Sequence, residues 1–164
     1  MRAPGAQLSE IYAFRVVGER LGTAGQPTEG QFGVIREAGF EAVINLALAT
    51  SDNALSNEGS VVTGLGMTYV HIPVDFKGPT LQDFRTFCGV MDAFEKRRVF
   101  VHCAANKRVS AFVLLYRVLR QHVSLHEAEQ DLRAIWEPDE IWARFIQEQL
   151  GAVPRAISTD PESL

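Results

Sequence analysis

The sequence predicts a single α/β domain, with a mostly parallel sheet of four to five strands flanked by helices. Short apolar runs alternate with helical patterns along the chain, which is typical of strands joined by crossover helices. The run at 41–46 is almost wholly apolar, as expected for a strand covered on both faces. The length of 164 residues, with 46% hydrophobic and 22% charged residues, suits one hydrophobic core.

Local signals define the first half of the domain. Residues 11–21 are expected to form a strand or hairpin with a turn at Gly18, and residues 23–28 a loop. Thr28 and Gln31 have the spacing of a capping box, which predicts a helix that ends at Gly39. A strand at 41–46 follows, and this order predicts parallel pairing of the two strands.

The second half repeats the alternation of strands and helices. A polar loop from residue 47 with a short helix at 58–65 should precede a strand at 67–73, a helix capped by Thr80 and a strand that ends at 103. An apolar helix from about 107 and two further helices, the first opened by Ser124, complete the domain. We expect residues 1–10 to be a flexible arm, 11–150 the folded domain and 151–164 a mobile tail.

Composition argues against several functions. Lys and Arg number 16 against 20 Asp and Glu, so the net charge of −4 predicts no binding to nucleic acid or to an anionic membrane. No apolar run reaches ~18 residues and the first ten residues lack an apolar signal segment, so a cytoplasmic location with reduced thiols is expected. Cys88 falls on the apolar face of a predicted helix and should be part of the core. No cofactor and no metal site is predicted, and the oligomeric state is left open.

The stretch 98–116 carries the predicted active site. A buried strand ends in His102 and Cys103, four residues follow, and a helix begins near Lys107. Backbone N–H groups of such a loop converge on one point, and the helix dipole adds positive potential there. Cys103 is therefore expected to act as a thiolate nucleophile. Arg108 can bind a tetrahedral oxyanion through two parallel hydrogen bonds.

The string HCAANKRVS at 102–110 resembles the active-site loop of cysteine-dependent phosphatases of the protein-tyrosine and dual-specificity class, written HC-x5-R-[ST]. Only four residues separate Cys103 from Arg108, and the usual glycine is absent. A loop of this length also resembles that of rhodanese-type sulfurtransferases, whose smaller cradle suits a persulfide.

A wider resemblance covers residues 14–145, through TAGQPT at 23–28, AVINL at 42–46, HIPVDF at 71–76 and IWEPDEIW at 135–142. It is to a bacterial family of small protein-tyrosine-phosphatase-like proteins, some of whose relatives are described as sulfurtransferases. The resemblance implies the cysteine-phosphatase fold, with the short loop as a family trait.

Further residues are assigned roles on this basis. Asp75, on the loop after the neighbouring strand, resembles the general acid of dual-specificity phosphatases; a simple turn residue is the alternative. His102 should hold the loop and favour the thiolate, and Ser110 should donate to the cysteine sulfur. The remaining candidates for substrate binding are the loop residues Ala104, Ala105, Asn106 and Lys107, and Asn45 and Gln26 at the mouth.

Three functions remain open from the sequence. The first is a phosphatase that acts through a phosphocysteine, the second a sulfurtransferase that carries a persulfide on Cys103, and the third a module that binds an oxyanion without turnover. The expected partner is a phosphorylated substrate or a small oxyanion. The WEPD segment at 136–139 is interpreted as a helix junction rather than an acid loop. The 47–66 loop is expected to overhang the site.

Overall fold

A five-stranded sheet organises the structure, a computed structural model that describes residues 7–152. The strands are β1 (Arg15–Val17), β2 (Leu21–Ala24), β3 (Ala42–Asn45), β4 (Thr68–His71) and β5 (Val99–His102). Within the described residues the helices are α1 (Gln31–Glu37), α2 (Glu58–Gly64), α3 (Leu81–Ala93), α4 (Lys107–Arg120), α5 (Leu125–Arg133) and α6 (Glu140–Ala152). The strand order is β1-β2-β5-β3-β4, and every pair is parallel except β1 with β2. The predicted fold class is confirmed.

Strand β5 lies at the centre of the sheet, between β2 and β3, and all four of its residues are buried. Successive side chains of a strand point to opposite faces. Val99 and Val101 join the core formed with α3 to α6, whereas Phe100 joins the core formed with α1 and α2. Helices therefore cover both faces, and the end of β5 delivers consecutive side chains to two different layers.

Side-chain caps open α3 and α5, and a capping-box pattern precedes α1, whose N-cap residue is Gly30. The Thr28 amide donates to Gln31 Oε1 at 2.9 Å, and the Gln31 amide donates to Thr28 Oγ1 at 3.3 Å, which is the reciprocal pattern of a capping box. Thr80 and Ser124 each accept a hydrogen bond from the amide three residues on, both at 3.1 Å. Gly39, with φ of +99°, lies just beyond the end of α1, as predicted.

Two expectations about the first strands are wrong. Thr23 and Ala24, placed in a loop from the sequence, belong to β2 because this segment pairs with β1 on one side and β5 on the other. The segment lies close to the core, since a Cβ atom on Gly22 would come within 2.8 Å of Phe40 and 2.9 Å of Phe100. Strands β2 and β3 are parallel, but they do not pair, because β5 lies between them.

The predicted arm and tail lie mostly outside the described residues. Residues 1–6 and 153–164 are not described, whereas Leu8, within the predicted arm, is buried in the core with α1 and α2. Gly151 and Ala152, placed in the tail from the sequence, form the end of α6. Among the described residues, no helix has the length and apolar character needed to span a membrane.

Candidate active site

The loop between β5 and α4 places Cys103 at the base of a cavity. Cys103 follows the last residue of β5, its amide donates to the Ala24 carbonyl at 3.3 Å, and its side chain is fully buried. Helix α4 begins four residues later, at Lys107. As in any helix, the amides of its first turn, including those of Lys107 and Arg108, have no intrahelical acceptor. Cys103 therefore lies between the end of the strand and a helix start that has free backbone donors.

Asn106 makes the turn for which the usual glycine is absent. Its φ of +64° lies in the left-handed region, where Asn is tolerated better than most residues. Its side-chain amide donates to the Ala13 carbonyl at 2.9 Å and to Thr23 Oγ1 at 3.1 Å. These two bonds attach the loop to β2 and to the segment before β1, and they hold the left-handed residue in place.

The loop also packs closely against the segment that follows β2. The Gln26 amide donates to the Ala104 carbonyl at 3.2 Å, and Asn53 Nδ2 donates to the same carbonyl at 3.1 Å. A Cβ atom on Gly25 would lie 2.8 Å from the Ala104 oxygen and 3.1 Å from the Ala105 Cα, so only glycine permits this approach. Ala104 is thus held from two sides.

One guanidinium nitrogen of Arg108 is hydrogen-bonded to the protein, and another has no partner. It is 6% exposed, and its Nη1 donates to the Val74 carbonyl at 2.9 Å. Its guanidinium carbon lies 5.7 Å from the centre of the Phe76 ring. Its Nε atom is buried without a hydrogen-bond partner. The guanidinium therefore lies in a fixed position beside the cavity with a donor that no protein atom satisfies.

The cavity has a volume of about 820 Å³ and is lined by three loop segments together with Tyr12. Its floor is the active-site loop, and one wall is the segment Asp75, Phe76 and Lys77 after β4. Residues 48 and 50–53 of the loop after β3 also line the cavity, and the overhang of the whole 47–66 loop stays a prediction. The lining residues are Tyr12, Leu48, Thr50, Ser51, Asp52, Asn53, Asp75, Phe76, Lys77, Cys103, Ala104, Ala105, Lys107 and Arg108. Among residues 7–152, no group of three or more His, Cys, Asp or Glu is placed to hold a metal ion.

The structure places Asp75 on the cavity wall in a defined turn. The Lys77 amide donates to Asp75 Oδ1 at 2.9 Å, which leaves the other carboxylate oxygen outside this contact. The next residue is anchored from α6, because the Trp142 indole N–H donates to the Phe76 carbonyl at 2.8 Å. The Phe76 ring also packs against Trp136, with the ring centres 5.7 Å apart. Two tryptophans thus fix the segment that carries Asp75.

The 136–139 segment is a helix junction, as interpreted from the sequence. It connects α5 to α6, and Asp139 Oδ1 accepts a hydrogen bond of 2.9 Å from the Trp142 amide near the start of α6. The sequence suggested only core packing for both tryptophans. Their hydrogen bonds to the active-site region depend on tertiary contacts that no local pattern reveals.

His102 belongs to a buried polar network below the loop. Its Nε2 lies 2.5 Å from Glu58 Oε2, and its Nδ1 lies 3.3 Å from the Cys103 carbonyl oxygen. Glu58, at the start of α2, also accepts from Gln26 Nε2 at 2.8 Å and from the hydroxyl of Tyr69. Sequence reasoning missed Glu58, because a glutamate at a helix start is usually exposed, and here it is 3% exposed.

Charge and burial compete at Glu58. Burial alone would raise the pKa of the carboxyl, but the hydrogen bond and charge attraction from His102, with hydrogen bonds from Gln26 and Tyr69, lower it below the usual value. Burial, together with the neighbouring Glu58 charge, raises the pKa of Tyr69 to about 12, so its hydroxyl keeps its proton and can donate.

Five of the residues predicted to bind substrate, His102, Asn106, Ser110, Asn45 and Gln26, are not among the residues that line the cavity. Ser110 Oγ donates to the Lys107 carbonyl at 3.0 Å and accepts from Trp136 Nε1 at 3.0 Å, so its hydroxyl proton goes to a carbonyl rather than to the cysteine sulfur. Asn45 is buried, where it accepts from the Ala47 amide and donates to Tyr69 rather than lining the mouth. Gln26 lies in the Glu58 network, also outside the cavity lining. Both are polar residues that end or follow strands, which explains why the sequence pointed to the cavity edge.

The fold and the site together define a class of protein. A central parallel strand that ends in a cysteine, a short loop and a helix whose first turn carries an arginine resemble the cysteine-dependent phosphatases. The family model described as "DSP-PTPase phosphatase fused to NAD+ Kinase" matches residues 18–147. The chain belongs to this family of phosphatases, and the family expected from the sequence is confirmed.

Solved structures agree with this assignment. A protein described as a candidate phosphatase (DUF442) from Shewanella putrefaciens CN-32 is 33% identical, with a TM-score of 0.80 over 89% of this chain and 96% of that chain. The core catalytic domain of the PP-IP phosphatase SIW14 from S. cerevisiae, in complex with citrate, is 14% identical, with a TM-score of 0.71 over 91% and 92%. A mouse candidate dual-specificity phosphatase complexed with zinc tungstate is 19% identical, with a TM-score of 0.68 over 88% and 91%. The last two show a shared fold. No curated protein matches the chain.

Proposed function

We propose that the protein hydrolyses a phosphomonoester through a phosphocysteine intermediate on Cys103. The observation that carries this proposal is that Cys103 and Arg108 line the same cavity and that Arg108 Nε is buried without a hydrogen-bond partner. A buried donor without a partner costs about 1–3 kcal/mol, and an oxyanion in the cavity would satisfy it. Family membership makes a phosphoryl group the first choice of oxyanion.

The first chemical step transfers the phosphoryl group to sulfur. The Cys103 thiolate attacks phosphorus and forms a P–S bond, while the bond from phosphorus to the leaving oxygen breaks. Arg108 and the amides of the loop stabilise the charge on the phosphoryl oxygens. The carboxyl of Asp75 gives its proton to the leaving oxygen, so the alcohol or phenol departs neutral.

The second step restores the enzyme. A water molecule attacks the phosphorus of the phosphocysteine, and the Asp75 carboxylate accepts the proton that the water loses. The P–S bond breaks, inorganic phosphate leaves, and Cys103 returns as a thiolate. Both cysteines are free thiols in the structure, and we propose a reducing cytoplasmic home because the cycle needs an unoxidised Cys103.

A sulfurtransferase is the second candidate function, because only four residues separate Cys103 from Arg108. In that reaction Cys103 would carry a persulfide between a sulfur donor and an acceptor. Persulfide transfer needs no acid at Asp75. The position of Asp75 on the cavity wall therefore favours phosphate chemistry.

One experiment separates the candidates. Aryl-phosphate hydrolysis and thiosulfate-to-cyanide sulfur transfer are measured on the same preparations of wild type, Cys103→Ser and Asp75→Asn. For a phosphatase, Cys103→Ser abolishes hydrolysis and Asp75→Asn lowers kcat by about 10²–10⁴-fold. Asp83→Asn, which makes the same charge change in the first turn of α3 and outside the cavity lining, serves as the matched control.

Other outcomes point to the other functions. Sulfur transfer that needs Cys103 but survives Asp75→Asn would establish the sulfurtransferase. Phosphate binding without either activity would establish a binding module. Hydrolysis that persists in Cys103→Ser would refute the phosphocysteine mechanism.

A further inference from the structure

His102 and Cys103 are consecutive, yet their side chains serve opposite faces of the sheet. Cys103 lies with the core of α3 to α6, whereas His102 packs its ring edge against Phe32 of α1 and reaches Glu58 of α2. His102 is fully buried. Any charge on the His102 ring is therefore shielded from water and lies on the residue next to Cys103.

Both nitrogens of the His102 ring face acceptors. Nδ1 faces the Cys103 carbonyl oxygen at 3.3 Å, and a carbonyl can only accept a hydrogen bond. Nε2 faces Glu58 Oε2 at 2.5 Å, and an ionised carboxylate likewise only accepts. A neutral imidazole carries one N–H and could satisfy one of these acceptors, whereas an imidazolium satisfies both.

The surroundings of Glu58 favour its ionised form. The side-chain amide of Gln26 presents its Nε2, a donor, to Oε1 at 2.8 Å, and the same nitrogen also donates to the Pro27 carbonyl. The Tyr69 hydroxyl is a further hydrogen-bond partner of the carboxylate, and it accepts in turn from Asn45 Nδ2 at 3.0 Å. A carboxylate with these donors is a matched counter-ion for a buried imidazolium.

We propose that Glu58 is a positioning residue that keeps His102 doubly protonated, so that a buried positive charge beside Cys103 favours the thiolate. This inference rests on the proposed role of Cys103 as the nucleophile. Asn45 and Gln26 were expected from the sequence at the cavity mouth. Instead, Gln26 donates to Glu58, and Asn45 donates to the Tyr69 hydroxyl beside Glu58. Glu58 acts through His102 and does not line the cavity.

Other charged or titratable groups also face this region and set the background for any pH effect. Tyr69 of β4 adjoins Glu58, and its raised pKa keeps it neutral at ordinary pH. The groups that line the cavity with Cys103 are Tyr12, Asp52, Asp75, Lys77, Lys107 and Arg108. None of these changes in a Glu58→Gln variant, so a shift in that variant reports the His102 pair.

The test measures how readily Cys103 ionises, independently of any phosphatase turnover. The rate of Cys103 alkylation by iodoacetamide is followed against pH for wild type and Glu58→Gln, in a Cys88→Ala background so that one thiol reacts. The glutamine keeps the shape of the side chain but removes its charge. We therefore expect the rise in alkylation rate that accompanies thiolate formation to occur at higher pH. At a fixed acidic pH the alkylation rate should fall about tenfold, the size expected for the loss of one nearby charge.

Two further variants separate a positioning effect from general damage. Asp131→Asn removes a carboxylate charge from another ion pair, to Arg117 at 2.7 Å between α4 and α5, and should leave the alkylation profile in place. In a His102→Asn background, Glu58→Gln should cause no further shift, because Glu58 is proposed to act only through His102. The proposal would be overturned if Glu58→Gln left the pH dependence of alkylation unchanged. It would also be overturned if Glu58→Gln shifted that dependence equally in the His102→Asn background.

A measurement on the unmodified chain covers the case in which Glu58→Gln does not fold. ¹⁵N-histidine NMR of the wild-type protein reads the protonation of each ring nitrogen, and the His102 signal is assigned from its loss in His102→Asn. Two protonated nitrogens at neutral pH support the proposal, and a neutral ring refutes it. If aryl phosphate is not hydrolysed but the pH dependence of alkylation shifts, the proposed function fails while the Glu58 inference stands.

Discussion

At the scale of single residues, the loop after β5 is held by side chains that donate hydrogen bonds to backbone carbonyls. Asn106 holds a left-handed conformation at φ of +64° and uses its amide to bind Ala13 and Thr23. Arg108 donates from Nη1 to the Val74 carbonyl, whereas its buried Nε has no hydrogen-bond partner. The loop is therefore shaped before substrate arrives, which lowers the cost of binding an oxyanion.

The two tasks of Asn106 can be separated by substitution. Asn106→Gly keeps the permissive backbone but loses two hydrogen bonds, so we expect the free energy of unfolding to fall by about 1–2 kcal/mol. Asn106→Ala loses the same bonds and adds the strain of a left-handed alanine, a further ~1–2 kcal/mol. Urea unfolding of both variants measures the difference, and equal stabilities would show that backbone strain at this residue is unimportant.

At the scale of elements, α6 controls the segment that carries the candidate acid. Trp142 is fully buried and donates to the Phe76 carbonyl at 2.8 Å, one residue after Asp75. Its ring also packs against Phe76, with the ring centres 5.9 Å apart. Helix α6 therefore contacts a segment that lies more than 60 residues earlier in the chain. Order in the acid segment is tied to the docking of α6.

Trp142→Phe should expose this dependence. The variant keeps an aromatic ring but loses the hydrogen bond, so Asp75 is held less firmly and proton transfer to the leaving group suffers. We expect kcat to fall about tenfold or more for alkyl phosphates, which need the acid, and less for nitrophenyl phosphate, whose leaving group departs readily.

Trp136→Phe provides the comparison for this experiment. It keeps an aromatic ring beside Phe76 and removes an indole N–H that donates to Ser110 rather than to the acid segment, so its effect should depend less on the leaving group than that of Trp142→Phe. Equal loss on both substrate types in Trp142→Phe would show that α6 does not position Asp75.

At the scale of the whole molecule, the sheet joins two cores, and the His102–Glu58 pair lies between the sheet and α1 and α2. Breaking a buried ion pair is costly because each charge loses its partner away from water. The pair therefore links the ionisation of the site to the stability of the fold. That link should be visible in the dependence of stability on pH.

The pKa of Glu58 in the folded state lies below its usual value of 4.5, so folding favours the ionised form. The stability that this provides is fully present above the usual value and is lost as the pH falls below 4.5 through the lowered pKa. The stability advantage of wild type over Glu58→Gln should therefore shrink on acidification. Urea unfolding at a series of pH values measures it, and a constant advantage would contradict the assignment.

Contiguous sequence revealed the parts of the site that are local in the chain. Cys103, Arg108 and the loop between them lie within one strand–loop–helix unit, and the caps at Thr28, Thr80 and Ser124 are set by residues three apart. Such features follow from backbone geometry, which a sequence pattern expresses directly.

Contacts between distant segments could not be read in this way. Glu58 meets His102 across 44 residues, and its role depends on where α2 packs against the sheet. The position of β5 between β2 and β3 is a property of the crossovers, so the sequence indicated parallel strands without their order. Ser110 was placed near the sulfur from its spacing, whereas the structure turns its hydroxyl toward Trp136.

The hydrogen bonds from Asn106 to Ala13 and Thr23 limit which segments can be exchanged between this protein and its relatives. The β1–β2 hairpin and the segment before it contribute to the shape of the loop after β5, because Ala13 and Thr23 accept the two hydrogen bonds of the Asn106 side chain. A chimera that takes its hairpin from one relative and its loop from another would have to inherit both halves of this junction together.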